Sequence, residues 1–310
     1  MTTTTGGPSA RPLHLDPLAF VLAVEGAALM RAFAGEHDAA FVRARLANIR
    51  SLLADPGPLG APAEVRALTA AEGYDAWSVD YDEPGNGLLA PDFERVTAMI
   101  EDQPGGLAID IACGTGRYAE WLAGRGYQVI GVDGSPGMLS VARRKLPTVD
   151  LRQGDLTDLP VPDRCADLAV CALALTHLED LTDAYAEFAR VLKPGGRLVV
   201  SDTHSLYLTA ARYPLIKQLV DGEFGYLPGW EHSLADHLNA ALRAGFAVQR
   251  VSEFKLDGII DPGLAPEDLR DAPVPDPWPL MTWVSAAANA AWAGAPASMY
   301  LQLQRISDGG

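Results

Sequence analysis

The chain is poor in the features that mark secreted, membrane-spanning or nucleic-acid-binding proteins. It has three cysteines in 310 residues, Cys113, Cys165 and Cys171. An odd, sparse set supplies neither a disulfide framework nor paired C-x-x-C metal ligands, and it suits a reducing compartment. No apolar run approaches the roughly 20 residues that a bilayer demands; the segment at 18–30 is too short and carries Glu25. The first residues lack the basic stretch and apolar run of a secretory signal, so a cytoplasmic protein is expected. Positive charge is scarce, with 24 Lys and Arg against 40 Asp and Glu and a net charge of −16. That field repels nucleic-acid phosphates and anionic lipid. The tightest basic cluster, Arg143, Arg144 and Lys145, ends a predicted helix, where cations complement the helix dipole anyway. No convincing set of acids and histidines has metal-ligand spacing, and no metal is expected.

What remains is patterned. Residues 1–12 are small and polar with Gly and Pro, and are expected to be disordered. Residues 13–70 read as a helical N-terminal extension, two Ala/Leu-rich helices broken near residue 35. This extension is expected either to cap a site or to pair with a second subunit. From residue 107 short apolar strands alternate with helices at 116–125, 135–145 and 180–192. Such alternation with short connections predicts an α/β fold, a doubly wound, Rossmann-like sheet with ligands beyond the carboxyl ends of its strands. The six prolines between 261 and 280 predict a loop.

The glycine turn "AIDIACGTGRYAEW" at 108–121 carries Gly114, Gly116 and Ala119. Glycine permits close backbone approach, and the helix that follows offers free N–H groups to a ligand. By itself the pattern is weak. Asp110 sharpens it, because a carboxylate inside that strand repels a pyrophosphate but favours the sulfonium and ammonium of S-adenosylmethionine. Asp110 also has a plainer role available, tying down loop N–H groups. Asp133, 17 residues past Gly116 at the end of the next strand, is placed to accept ribose hydroxyls from either kind of nucleotide. Asp155 follows the third strand, where it would take an adenine amine with Leu156 as an apolar face.

These segments, with "VLKPGGRLVVSD" at 191–202 and "GYDAWSVDYDEPGN" at 73–86, resemble the successive motifs of class I S-adenosylmethionine-dependent methyltransferases of the small-molecule type. The resemblance implies a seven-stranded sheet whose last strand is inserted antiparallel, a methyltransferase domain over 71–310, and substrate-lining insertions around 205–232 and 256–295. It implies that Asp110, Gly114 and Gly116 hold the methionine end, and Asp133 the ribose. Gly134 and Met138 would line the adenine side, Asp155 and Leu156 would read the adenine, and Cys171 would pass beneath the cofactor.

On the acceptor side, His177, His204 and His232 lie just past strand ends or at a helix start, and histidine is the natural base near neutral pH. Ser233 is equally a helix N-cap, which would leave His232 without chemistry. His237 reads as a surface residue. Tyr74, Trp77 and Tyr81 form an aromatic lid, Tyr74 and Tyr81 over the cofactor and Trp77 toward the substrate. Tyr226, Trp230, Glu231 and Trp283 are expected to line an acceptor pocket. The function expected is methylation of a small molecule at oxygen or nitrogen, with carbon also open, in bacterial specialised metabolism (natural product biosynthesis). A homodimer through the N-terminal helices is a further expectation. The competing readings are a cofactor-binding protein that transfers no methyl group, pericyclase-like or regulatory, and an NAD-dependent oxidoreductase.

Overall fold

The computed structural model describes residues 12–83, 89–100, 105–205 and 214–307. The expected disordered N-terminus therefore lies, but for Pro12, outside the described residues. A short strand β1 (Leu13–Leu15) leads into α1 (Pro17–Phe33) and α2 (Ala39–Ala54). Asp16 and Asp38 cap these helices, each side chain accepting a backbone N–H from its first turn. Strand β2 (Ala63–Ala67) and α3 (Ala70–Trp77) follow. A reciprocal Thr69–Glu72 capping box starts α3. After α4 (Leu89–Ala98) come β3 (Leu107–Ile111), α5 (Arg117–Gly124), β4 (Gln128–Asp133), α6 (Pro136–Lys145), β5 (Asp150–Gln153), β6 (Ala166–Ala172), α7 (Thr182–Val191) and β7 (Leu192–Thr203). The rest is β8 (Leu215–Gln218), β9 (Phe224–Leu227), α8 (Leu234–Arg243), β10 (Phe246–Lys255), α9 (Pro277–Thr282), α10 (Ser285–Trp292) and β11 (Pro296–Arg305).

The main sheet has the order β10-β11-β7-β6-β3-β4-β5. Its strands run parallel except β11, which is antiparallel to both neighbours. Both faces are covered, and successive residues of each central strand feed opposite cores. Ile109, Ile111, Ala169, Cys171, Leu198 and Val200 meet Tyr185, Phe188 and Ala241 on one side. Ala108, Leu168, Val170 and Val199 meet Val96, Ile100, Tyr118 and Leu122 on the other. The order departs from chain order at β3, where the chain winds outward through β4 and β5 and then crosses back to β6. The cleft between the carboxyl ends of β3 and β6 is the topological switch point, where ligands of such sheets bind.

Two expectations need correction. The N-terminal extension is not purely helical: β1 pairs antiparallel with β2, and β2 pairs with β9 in a second sheet of order β1-β2-β9-β8. Strands of three and five residues are too short to show a periodicity. The proline-rich stretch is a loop only to Asp276, whose carboxylate caps α9 by accepting the Trp278 N–H at 2.8 Å. Pro277 at the first position costs the helix nothing, because its missing N–H would have had no intrahelical partner. The extension packs on this later segment, with Val21, Val24 and Ala28 of α1 against Met281, Ala287, Ala288 and Trp292.

Candidate active site

The turn after β3 is built from left-handed backbone. Ala112, Gly114 and Gly116 have φ of 55°, 54° and 89°. A side chain at Gly116 would come within 2.7 Å of Leu146, so the turn and α6 pack directly on one another. Ala112 pays steric strain for its conformation, and so does Leu173 (φ 54°) in the equivalent place after β6. Both line a cavity of about 210 Å3 at the switch point.

Asp133 ties the two sides of this cavity together. Its Oδ2 accepts the Gly114 N–H and its Oδ1 the Ser135 N–H, each at 2.8 Å. Burial pushes its carboxyl up, against the pull of those two bonds. Asp110 lies one layer deeper, 1% exposed, and does not line the cavity. It accepts the Ala119 N–H at 2.7 Å, which is the plainer of the two roles open to it. Burial raises it to about 7. Gly116 and Cys171 also lie behind the wall, Cys171 fully buried among core side chains.

Gly114, Gly134, Met138, Asp155, Leu156, Tyr74, Tyr81 and His177 all line the cavity together with Asp133. Asp155 stands on its rim and closes its own turn, Oδ1 accepting both Thr157 N–H and Thr157 Oγ–H. The aromatic segment forms the opposite wall. Tyr74 stacks on Trp77 and meets Tyr81 edge-on, with ring centres 5.9 and 6.4 Å apart. Trp77 stands behind them, its outer face covered by Lys217 Nζ at 3.5 Å from the ring centre.

Four contacts that sequence reasoning missed pin this segment down. Asp75 Oδ1 accepts Ser135 Oγ–H at 2.5 Å and the Gly137 N–H at 2.7 Å. Thr115 Oγ–H donates to Asp82 Oδ1 at 2.7 Å, and Lys145 Nζ to Asp82 Oδ2 at 3.0 Å. The Ser-Pro start of α6 was a readable N-cap signal; nothing local in the sequence marks Asp75 as its partner, or Asp82 as the partner of Thr115 and Lys145.

The three candidate histidines part company. His177 reaches the cavity, with Nε2 2.8 Å from Tyr74 Oη and Nδ1 3.4 Å from the Pro228 carbonyl. Burial depresses its pKa, opposed by that carbonyl and by Asp202. His204 is turned away and pairs with Glu253 Oε1 at 3.0 Å. His232 donates from Nε2 to the Leu178 carbonyl at 2.8 Å, just before Ser233, which caps α8 in a reciprocal box with Asp236. His237, read as a surface residue, is fully buried, with Tyr185 Oη 3.0 Å from Nδ1 and Asp202 Oδ2 3.4 Å from Nε2. The amphipathic period of α8 turns it inward against α7.

The expected acceptor-pocket residues do not converge on the cavity either. Trp230 and Glu231 border a separate surface pocket with His232. Tyr226 is buried in the second sheet. Trp283 belongs to the helical layer, its Nε1–H donated to the Glu267 carbonyl at 2.6 Å. Among the described residues, segments 205–232 and 256–295 supply no cavity wall; Pro228 acts only through His177.

Residues 109–200 match a methyltransferase domain model. The chain is 34% identical over 145 residues to a demethylmenaquinone methyltransferase of Renibacterium salmoninarum, covering 46% of this chain and 59% of that protein. It thus spans little more than half the length of that relative. A second demethylmenaquinone methyltransferase, from Clavibacter sepedonicus, is 31% identical over 193 residues, covering 59% of this chain and 76% of its own length. The fold is shared with the solved structure of the [4+2]-cyclase SpnF, at a TM-score of 0.53 and 18% identity over 79% of this chain and 98% of that one.

Proposed function

The chain belongs to the class I S-adenosylmethionine-dependent methyltransferases, and on that premise we propose that it transfers a methyl group to a small molecule bound beside Tyr74 and His177. The single observation that carries this reading is the joining of the Asp133-braced glycine turn and the Tyr74–His177 pair in one cavity.

The residues present fit the cofactor. The Gly114 turn offers close backbone approach to its methionine end. Asp133 keeps lone pairs beyond its two backbone bonds for ribose hydroxyls. Gly134, Met138 and Leu156 give an apolar slot for the adenine, with Asp155 at the edge. Bound there, the cofactor would supply an electrophilic methyl group on a sulfonium. The chain's own work is then to hold the acceptor in line, exclude water and receive the acceptor's proton. Oxygen is the favoured acceptor atom, because the pair beside it handles a proton. The acidic surface favours an acceptor without phosphate, and the names of both curated relatives fit a small-molecule acceptor.

Titration calorimetry with S-adenosylhomocysteine tests the site. Micromolar binding is expected, weakened about 30-fold in Asp133→Ala, the loss of about 2 kcal/mol that accompanies removal of a charged acceptor. Incubation with methyl-labelled cofactor and candidate acceptors tests the reaction. Tight binding with no label transferred to any acceptor would instead favour a protein that binds the cofactor without methylating.

A further inference from the structure

Tyr74 and His177 meet inside the cavity, and the segments that carry them have other anchors as well. Helix α3 is anchored to α6 through Asp75. The turn that carries His177 is anchored by backbone bonds, from Trp230 N–H to the Thr176 carbonyl at 2.6 Å and from His177 N–H to the Ala174 carbonyl at 3.2 Å. The hydrogen bond between the two side chains is therefore not the sole tie between their segments and the rest of the fold.

We propose that Tyr74 and His177 form a proton relay in which Tyr74 Oη takes the proton of a neutral aromatic hydroxyl acceptor and passes its own to His177 Nε2. The proposal rests on the methyltransferase reading above and names the acceptor class for that same cavity. Only a protonated nitrogen can donate to a carbonyl, so the Pro228 oxygen assigns the ring hydrogen to Nδ1. Nε2 then carries the lone pair, and Tyr74 must donate to it across 2.8 Å. The ring centres are 5.3 Å apart and the ring planes cross at 87°.

The surroundings select the acceptor. Ala70, Ala71, Leu173, Ala174 and Leu178 line the cavity with this pair, and no lysine or arginine is among its described lining residues. A carboxylate or phosphate acceptor would find no counter-charge there. A flat, uncharged ring bearing a hydroxyl matches the apolar wall and the proton-accepting pair beside it. The charged and titratable groups that face the pair are Tyr81 from the turn after α3, Asp133 from β4 and Asp202 from β7. Burial keeps His177 neutral and receptive near neutral pH, and Asp202 favours the imidazolium once it forms.

The step balances. The acceptor's O–H bond breaks and an O–CH3 bond forms, while the electron pair of the methyl–sulfur bond stays with sulfur. The hydroxyl proton moves to Tyr74 Oη as the Tyr74 proton moves to His177 Nε2. The positive charge lost at sulfur reappears on the imidazole, which later releases its proton to solvent.

Two phenols and two variants test the relay. At about pH 8.5, 4-methoxyphenol stays protonated and needs a base, whereas 4-nitrophenol is ionised and does not. With 4-methoxyphenol, Tyr74→Phe and His177→Gln should each lower kcat about 100-fold, while KM for the cofactor stays within about threefold. With 4-nitrophenol, which can arrive already ionised, each variant's loss should be at least about tenfold smaller. In ligand-free protein, 15N imidazole spectra should show His177 as the Nδ1–H tautomer, titrating below the usual imidazole range. Tyr74→Phe should raise that titration, because the lost donor had stabilised the neutral ring. Equal losses on both phenols, losses confined to cofactor KM, or an Nε2–H tautomer would each overturn the relay. So would a wild-type protein that binds S-adenosylhomocysteine yet methylates neither phenol. Failure to bind S-adenosylhomocysteine at all would instead overturn the methyltransferase reading.

Discussion

Asp110 shows how one residue can serve the site at a cost to the fold. Its carboxylate anchors the start of α5 through Ala119, yet burial raises its pKa to about 7. An acid held above its unfolded value binds protons more tightly in the folded state. Its charge therefore costs nothing below the unfolded value near 4, and the cost grows as pH rises through 7. Asp110→Asn keeps an oxygen for the Ala119 N–H and removes that cost. Its melting temperature should exceed wild type by more at pH 8 than at pH 5, as calorimetric scans at both pH values would show. An equal gain at the two values would mean that Asp110 is ionised throughout. The identity of Asp110 as a key residue was legible in the sequence, because an acid inside an apolar strand is expensive and must have a partner. That its oxygen would point behind the turn was not legible, since side-chain direction depends on where α5 begins.

Helix α3 illustrates the scale of elements. Its sequence signals a start, through Thr69 and Glu72, and an aromatic set, but not where the helix docks. Docking comes from Asp75 on Ser135 and Gly137, so an eight-residue helix too short to persist alone is held by the N-terminus of another. The fit is close: a Cβ at Gly137 would lie 2.9 Å from both Asp75 Oδ1 and Ser78 Oγ. Gly137→Ala should therefore loosen α3, raising amide exchange across residues 70–81 about tenfold or more while β3 to β7 remain protected. Weaker S-adenosylhomocysteine binding should accompany it. Unchanged exchange in α3 would show that the aromatic wall is held by its own stacking instead.

Over the whole molecule, the N-terminal helices belong to the same body as the segment before β11. A buried polar knot joins them. Glu25 of α1 is fully buried, accepting from Arg45 Nη1 at 3.1 Å and Asn48 Nδ2 at 2.8 Å, while Asn48 also donates to the Trp283 carbonyl at 3.3 Å. Burial raises the Glu25 carboxyl despite both partners, so desolvation outweighs the pairing. Removing one partner should be worse than removing both. Arg45→Leu is expected to cost about 3 kcal/mol in urea denaturation, and Glu25→Leu/Arg45→Leu to recover most of it. A double variant no more stable than the single one would show that the pair contributes net stability.

The alternation of strands and helices, the glycine turn and the acids at successive strand ends belong to the sequence alone. They repeat at short range, where backbone period and local sterics decide, and they suffice for the sheet and for the side of the cavity lined by Gly114, Asp133 and Asp155. Tertiary structure decided the rest. It placed His177 at the cavity and His204 and His232 away from it, buried His237, moved Trp283 into a distant helical layer and brought Tyr74 across 103 residues to His177. The physical reason is that each of these outcomes depends on which faces of separated elements meet. That is set by packing and loop closure across the whole chain, and no window of neighbouring residues contains it.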